Sequence, residues 1–173
     1  MGISLFDVSV AGFLQTLTAV SGFLDKGAAH LGGTDGALAE MVDMRIAPDM
    51  LPFRFQIVSV VHHSRGAIEG VKAGQFSPPA GPGPSDYAGL QALVADAITT
   101  LKACSREEIE ALQGKDMVFA LGERKLPFVA EDFLMSFSIP NMHFHASTAY
   151  GMLRAKGVAI GKRDYLGQMR MKK

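Results

Sequence analysis

The chain has 173 residues, of which 48% are hydrophobic and 20% are charged. This balance excludes intrinsic disorder as the main state and predicts one domain, residues 1–173, with a single core. Lys plus Arg and Asp plus Glu both number 17, so the net charge is zero. We therefore expect neither nucleic acid nor an anionic membrane as a partner, and we expect a homodimer because little charge keeps copies apart.

The uncharged stretch near the N-terminus predicts a core helix. Apolar residues recur three and four positions apart over residues 3–31, the pattern of an amphipathic helix in a bundle, and Gly32-Gly33 ends it. No Lys or Arg precedes Lys26, and the stretch over residues 8–24 is periodic, so we expect neither a signal peptide nor a membrane span. The single cysteine, Cys104, excludes an internal disulfide, and we expect a cytoplasmic protein.

Two further helices flank a proline-rich connection. An apolar stripe predicts a helix over about residues 50–72, in which Pro52 is tolerated in the first turn. Residues 74–85 contain four prolines and three glycines, so we expect no helix or central strand there and interpret the segment as a crossover within one domain. Ser85-Asp86 then begins a third helix, whose apolar positions continue over residues 87–104.

The second half of the chain combines a hairpin with one more long helix. Residues 105–108 match a capping box and begin a short helix. Residues 116–129 predict a β-hairpin, in which Pro127 makes the second strand an edge. Residues 131–155 are helical in pattern, and Pro140 either bends or restarts the helix. The chain thus predicts an all-α fold, a four-helix bundle with a small β-hairpin before the last helix.

Histidines on two of these helices are the candidate functional residues. At about 100° per residue, His145 lies about 40° from Ala149, which belongs to the apolar centre of the last helix, and so it points inward. Asn141 lies one turn before it on the same flank, and i, i+4 is the spacing of two metal ligands on a helix. On the second helix His62 and His63 are about 100° apart, so only one of them is expected to approach His145.

Two interpretations of these residues stay open at this point. The first is a small metal site made of His145, His62 or His63, and Asn141, whose amide is a poor zinc ligand and an acceptable one for harder ions. The second is a polar pocket filled by hydrogen-bonded histidines, which the spacing favours because a third strong ligand is missing. The sequence contains no nucleophile elbow and no phosphate-binding loop.

Short segments of the C-terminal third form a distinctive pattern, namely Pro140 to His145, Thr148 to Tyr150, Leu153-Arg154, Gly157-Val158, Gly161-Lys162 and Asp164 to Gly167. This pattern resembles a bacterial family of unknown function within the DinB/YfiT-like metalloenzyme superfamily. The helix and loop plan of the whole chain agrees with this resemblance.

The resemblance implies a DinB-like four-helix bundle with up-up-down-down wiring. In metal-binding members one histidine comes from the second helix and an H-x-x-x-H pair from the fourth. The second histidine of that pair stands nine residues before an arginine that is followed by x-x-G. His145 matches it, because Arg154 and Gly157 follow at those distances, whereas Asn141 stands in place of the first histidine. The ligand from the second helix would be His62 or His63.

We therefore expect a DinB-like bundle protein with a degenerate metal or polar pocket around His145 and Asn141 that binds a small molecule. The alternative is a divalent-metal-dependent hydrolase or thiol S-transferase that uses zinc, nickel or manganese, with His145 and either His62 or His63 as ligands. A third expectation is an interaction module that uses a surface rich in Phe and Met, of which the chain has 11 and 10.

Overall fold

The computed structural model describes residues 3–172, which form a predominantly helical fold with one three-stranded sheet. The helices are α1 (Leu5–Val8), α2 (Val10–Leu31), α3 (Ala37–Asp43), α4 (Phe53–Val61), α5 (Ala67–Ala73), α6 (Tyr87–Lys102), α7 (Arg106–Glu110), α8 (Ala130–Asp132), α9 (Ile139–Ala155) and α10 (Lys162–Leu166). A first π-helical turn (His62–Gly66) joins α4 to α5, and a second (Phe133–Ser138) joins α8 to α9. The strands are β1 (Gln75–Phe76), β2 (Asp116–Leu121) and β3 (Arg124–Val129).

The first predicted helix is confirmed, with a break at Ser9 between α1 and α2. The Ser9 hydroxyl donates to the carbonyl of Leu5 at 2.6 Å, so its side chain takes a backbone acceptor at the break. Helix α2 buries its apolar stripe and ends at Gly32, as its sequence predicts. By length and composition alone, Leu5–Leu31 would suffice to cross a membrane, a test that a buried core helix passes equally.

The second predicted helix runs from Phe53 to Ala73 and is not regular. Its middle is the first π-helical turn, where the wider ring displaces backbone carbonyls from their usual partners. The buried Ser64 hydroxyl lies 2.7 Å from the carbonyl of Val60 and 3.1 Å from that of Val61, and it donates to them. Helix α5 then ends at Gly74, whose φ of 74° suits glycine. This turn changes the angular positions of His62 and His63.

The hairpin prediction is confirmed, and the sheet has a third strand that the sequence did not indicate. Strands β2 and β3 are antiparallel, and Pro127 lies on the edge strand β3. Strand β1 pairs parallel with β2, with Phe76 opposite Phe119. The expectation of helices and a hairpin alone therefore needs correction, because the first residues of the crossover form an edge strand. Only two residues pair, too few for alternation to reveal a strand.

The third and fourth long helices differ from the predicted ones in detail. Asp86 caps α6 by accepting from the backbone N–H of Gly89 at 2.7 Å, but α6 ends at Lys102, so Cys104 follows the helix instead of continuing it. The predicted effect of Pro140 is confirmed. The second π-helical turn precedes α9, and Pro140 lies in the first turn of α9, where its missing N–H is tolerated.

The long helices pack in a closed order. Helix α2 contacts α6 and α9, and α4 contacts the same two helices, while α10 lies against α2. Their buried apolar side chains form one cluster with those of the sheet. Since α4 and α9 make the most extensive helix pair, the two π-helical turns next to them come to lie close together.

Candidate functional site

A cavity of about 180 Å³ lies between the two π-helical turns, and we call it the histidine pocket. Its walls come from α4, both turns, the start of the crossover, β2 and α9. The lining residues are Phe55, Ser59, His62, His63, Phe76, Pro78, Pro79, Phe119, Phe137 and His145. Single π-helical turns inside helices occur frequently at functional sites, and here one turn lies on each side of the cavity.

The structure brings His63, and not His62, next to His145 with the two rings nearly parallel. His63 is 8% exposed, and its ring centre lies 6.1 Å from that of His145 with the two ring planes within 10° of each other. His62 instead donates from Nε2 to the carbonyl of Ser77 at 2.7 Å and stacks on Phe76 at 4.3 Å between ring centres. His62 therefore fastens the crossover to the helix, and His63 is available to a ligand.

The orientation of His145 depends on Gln56, a buried residue of α4 that is 3% exposed. The side-chain amide of Gln56 donates from Nε2 to the carbonyl of Leu51 at 2.9 Å, so its Oε1 is the atom directed at His145. That oxygen lies 2.8 Å from His145 Nδ1, and a carbonyl oxygen can only accept. His145 Nδ1 is consequently protonated, and Nε2 carries the lone pair of the neutral ring.

Burial keeps the histidines of the pocket uncharged. Desolvation lowers the pKa of His63 to about 3, helped by the neighbouring His62 and His145, and it lowers the pKa of His145 to about 4. Burial also lowers the pKa of His62. No Asp, Glu, Lys or Arg is among the lining residues. At neutral pH the pocket is thus apolar and aromatic, with the neutral imidazoles of His62, His63 and His145 as its main polar groups.

Asn141 lies on the same face of α9 as His145 but is not among the residues that line the pocket. Its side-chain Nδ2 donates to the carbonyl of Phe137 at 2.7 Å, within the second π-helical turn. His143, on the other flank of α9, lies 3.2 Å from the hydroxyl of Tyr165 through Nδ1. Asn141 therefore supports the backbone next to Pro140, and it remains only a predicted ligand.

Two parts of the site, Gln56 and the phenylalanines from the sheet, were not predicted from the sequence. Gln56 stands seven residues before His63, and a polar residue within an apolar stripe is the signal that could have revealed it. The aromatic side chains of Phe76 and Phe119 come from β1 and β2, and they reach the pocket only through the pairing of those strands. No periodic pattern in the sequence predicts the pairing of β1 with β2.

The residues present do not provide the three-ligand metal set that the resemblance implies. Among the described residues 3–172, no three His, Cys, Asp or Glu side chains are close enough together to hold a metal ion. His63 and His145 lie side by side, whereas Nε2 of His62 donates to the carbonyl of Ser77. Catalytic zinc sites use three protein ligands and one open position, so this set is one ligand short.

Comparisons with known proteins agree on the fold and leave the chemistry open. The family described as "Domain of unknown function (DUF1993)" matches residues 5–166. A solved structure, a DinB family member protein from Shewanella denitrificans, superimposes with a TM-score of 0.79 at 24% sequence identity, covering 98% of this chain and 95% of that one. No curated protein matches significantly. At this identity the structural likeness shows the fold alone.

Proposed function

The chain belongs to the family described as domain of unknown function (DUF1993), and we propose from the histidine pocket that it binds a small uncharged organic molecule there. The observation that carries this proposal is the imidazole of His63. Its Nδ1 is buried and has no hydrogen-bond partner among the described residues, although the ring lines a cavity. An unpaired buried polar atom costs about 1–3 kcal/mol, so a partner supplied by a ligand would be stabilising.

The composition of the pocket wall favours an uncharged occupant. Four phenylalanines and two prolines surround His63 and His145, and neither a carboxylate nor a cationic side chain is among the lining residues. Moving an ion into such a site without a partner is strongly unfavourable. Ligand sites are typically apolar cavities with a few polar groups that fix orientation, which describes this pocket.

We also propose the finer assignment that the resemblance implies, a DinB-like four-helix bundle with up-up-down-down wiring in the DinB/YfiT-like superfamily. The closed order of contacts among α2, α6, α4 and α9 supports it, as does the structural likeness to a DinB family member. The homodimer and the cytoplasmic location stay predictions. Sedimentation equilibrium tests the first of these directly.

The binding proposal is tested with uncharged fragments of one and two rings, followed by amide chemical shifts. We expect shifts at residues around the histidine pocket, loss of these shifts in His63→Phe, and no loss in Ser147→Ala, which changes an exposed residue of α9 outside the pocket. Shifts that map to another surface, or that persist in His63→Phe, would contradict the proposal.

The metal content of the untagged protein tests the alternative that the pocket is a metal site. After dialysis against zinc, nickel or manganese, we expect less than stoichiometric metal by plasma mass spectrometry, because one ligand of the implied set is absent. Stoichiometric metal that disappears in His145→Ala would contradict the proposal. It would favour the alternative, a divalent-metal-dependent hydrolase or thiol S-transferase with His145 and His63 as ligands.

A further inference from the structure

We infer that the ligand of the histidine pocket is a neutral phenol, an aromatic ring whose un-ionised hydroxyl donates to Nε2 of His145. This inference rests on the proposed function and deepens it by naming the ligand class. Its first step is the hydrogen-bond chain from the carbonyl of Leu51 through Gln56 to His145. Both acceptors in that chain are carbonyl oxygens, so only the neutral tautomer of His145 with its proton on Nδ1 is compatible with it.

The hydrogen-bond chain makes Nε2 of His145, a residue that lines the pocket, an acceptor. The carbonyl of Leu51 takes a proton from the Gln56 amide, the Gln56 carbonyl takes one from His145 Nδ1, and the neutral ring has no further proton for Nε2. The low pKa of His145, about 4, keeps the ring neutral at physiological pH. A ligand must therefore offer a donor to this nitrogen, and an acceptor placed there would face a lone pair.

The second imidazole favours a hydroxyl over other donors. No residue within 3–172 hydrogen-bonds to Nδ1 of His63, and a neutral imidazole always presents one N–H and one lone pair. Its ring is nearly parallel to that of His145, with 6.1 Å between the ring centres. A hydroxyl is the smallest group that donates and accepts at one atom, so it matches both the acceptor of His145 and the N–H of His63 in chemical type.

The remaining walls of the pocket suit a flat ring. Phe55 meets His145 edge-on at 5.8 Å between ring centres, and Phe137 meets His63 edge-on at 5.5 Å. Phe76 and Phe119 complete the aromatic surface. The cavity volume of about 180 Å³ is of the size that admits a single benzene-like ring, since a cavity of about 150 Å³ binds benzene.

Arg65, on the first π-helical turn, gives no reason to expect an acidic ligand. Arg65 lines a neighbouring cleft of about 240 Å³ instead of the histidine pocket. Its guanidinium is already paired with Asp96 and lies 3.6 Å from Glu69. A benzoate-like anion would therefore enter the pocket without a counter-ion. Phenols ionise near pH 10 and stay neutral at physiological pH.

Four ring compounds of similar size distinguish a hydrogen-bond donor from an apolar group, an acceptor and an anion as the preferred ligand. Titrating the protein with phenol, toluene, pyridine and benzoate, we expect phenol to bind about tenfold more tightly than toluene or pyridine, the effect of one hydrogen bond, and benzoate to bind most weakly. Pyridine offers only an acceptor, so a preference for pyridine over phenol would overturn the inference. Equal affinity for phenol and toluene would also overturn it, while the proposed function would stand.

If none of the four rings binds, the proposed function itself fails, and the two failures are thus distinguishable. A matched variant, Gln56→Met, has a side chain of similar length but lacks the oxygen that accepts from His145 Nδ1, so it no longer favours one tautomer. We expect its preference for phenol over toluene to fall to about threefold or less. An unchanged preference would contradict the role assigned to Gln56.

The tautomer is also measurable on the wild-type protein, so the inference does not depend on how Gln56→Met folds. Long-range ¹H–¹⁵N correlation spectra assign the protonated ring nitrogen of each histidine. We expect the proton of His145 on Nδ1 both before and after phenol is added. A proton on Nε2 would overturn the inference, whatever the binding data show.

Discussion

The α2–α6 pair and the α4–α9 pair belong to one core but are built on different principles. The first pair consists of regular helices with apolar stripes, and the hydroxyl of Tyr87 in α6 donates to the carbonyl of Leu24 in α2 at 2.9 Å. The second pair is interrupted by both π-helical turns. The buried polar residues of the described chain are Ser9, Thr16, Gln56, Ser59, His63, Ser64 and Ser138, and all but the first two belong to the second pair or its turns.

This difference shows where the fold gives up stability for a site. A regular apolar interface gains free energy from close packing, and in this pair the buried hydroxyl of Tyr87 has a backbone partner. The α4–α9 side instead leaves His63 Nδ1 and the hydroxyl of Ser138 buried without partners. Unpaired polar atoms of this kind are unfavourable and tend to persist where function requires them. The comparison therefore points to the irregular pair as the functional part, independently of any motif.

Acid should weaken the irregular pair first. The folded-state pKa values of His63 and His145, about 3 and about 4, lie below the unfolded value of 6.5. Below pH 6.5 the unfolded chain binds protons that the folded chain excludes, so the free energy of unfolding falls as pH falls. At pH 5 the loss reaches about 2 kcal/mol for each histidine, less for the half-buried His145.

Urea denaturation at a series of pH values measures this loss. The double variant His63→Phe/His145→Phe should be less sensitive to acid between pH 6.5 and pH 4. His30→Gln, which changes an exposed histidine at the end of α2, provides the control and should behave like the wild type. An unaltered acid dependence in the double variant would show that these two imidazoles do not resist protonation. The prediction that acid weakens the α4–α9 pair first would then be wrong.

Packing in the regular pair is tested at Gly27 of α2. A Cβ at this position would collide with Tyr87 Oη and lie 3.0 Å from Leu153 Cδ2. Gly27→Ala should therefore displace the buried hydroxyl from Leu24 and lower the free energy of unfolding by about 2–4 kcal/mol. Gly22→Ala in the same helix meets no atom within 4 Å and should raise it by about 0.5–1 kcal/mol.

Chemical denaturation of the two glycine variants gives both values. Opposite signs would establish that close packing across α2 and α6, and not helix propensity, determines the effect at Gly27. If Gly27→Ala were neutral, α2 and α6 would not be closely packed at this position. The contrast between the two helix pairs would then lose its support from packing.

The sequence predicted the regular pair well and the irregular pair only in outline, for physical reasons. Helix α6 shows an apolar stripe and a capping Asp86, both of which are local signals. A π-helical turn adds one residue to a helical turn without changing composition, so the pattern could not decide between His62 and His63. Strand β1 exists because Phe76 meets Phe119 in space. The inward direction of His145 was predictable from periodicity, whereas its bond to Gln56 depends on how α4 and α9 pack.

The smallest expected effect concerns Asn141, at the junction of the irregular pair. Asn141→Ala removes the hydrogen bond to the Phe137 carbonyl and should cost about 1 kcal/mol of unfolding free energy. Asn141→His loses the same bond but adds a third imidazole on the face of α9 that carries His145, so zinc should restore its stability by binding the folded state. Thermal denaturation with and without zinc measures both effects, with Asn141→Ala as the variant that zinc should not rescue. If zinc stabilises the wild type as strongly as Asn141→His, the missing third ligand is not what separates this pocket from a metal centre.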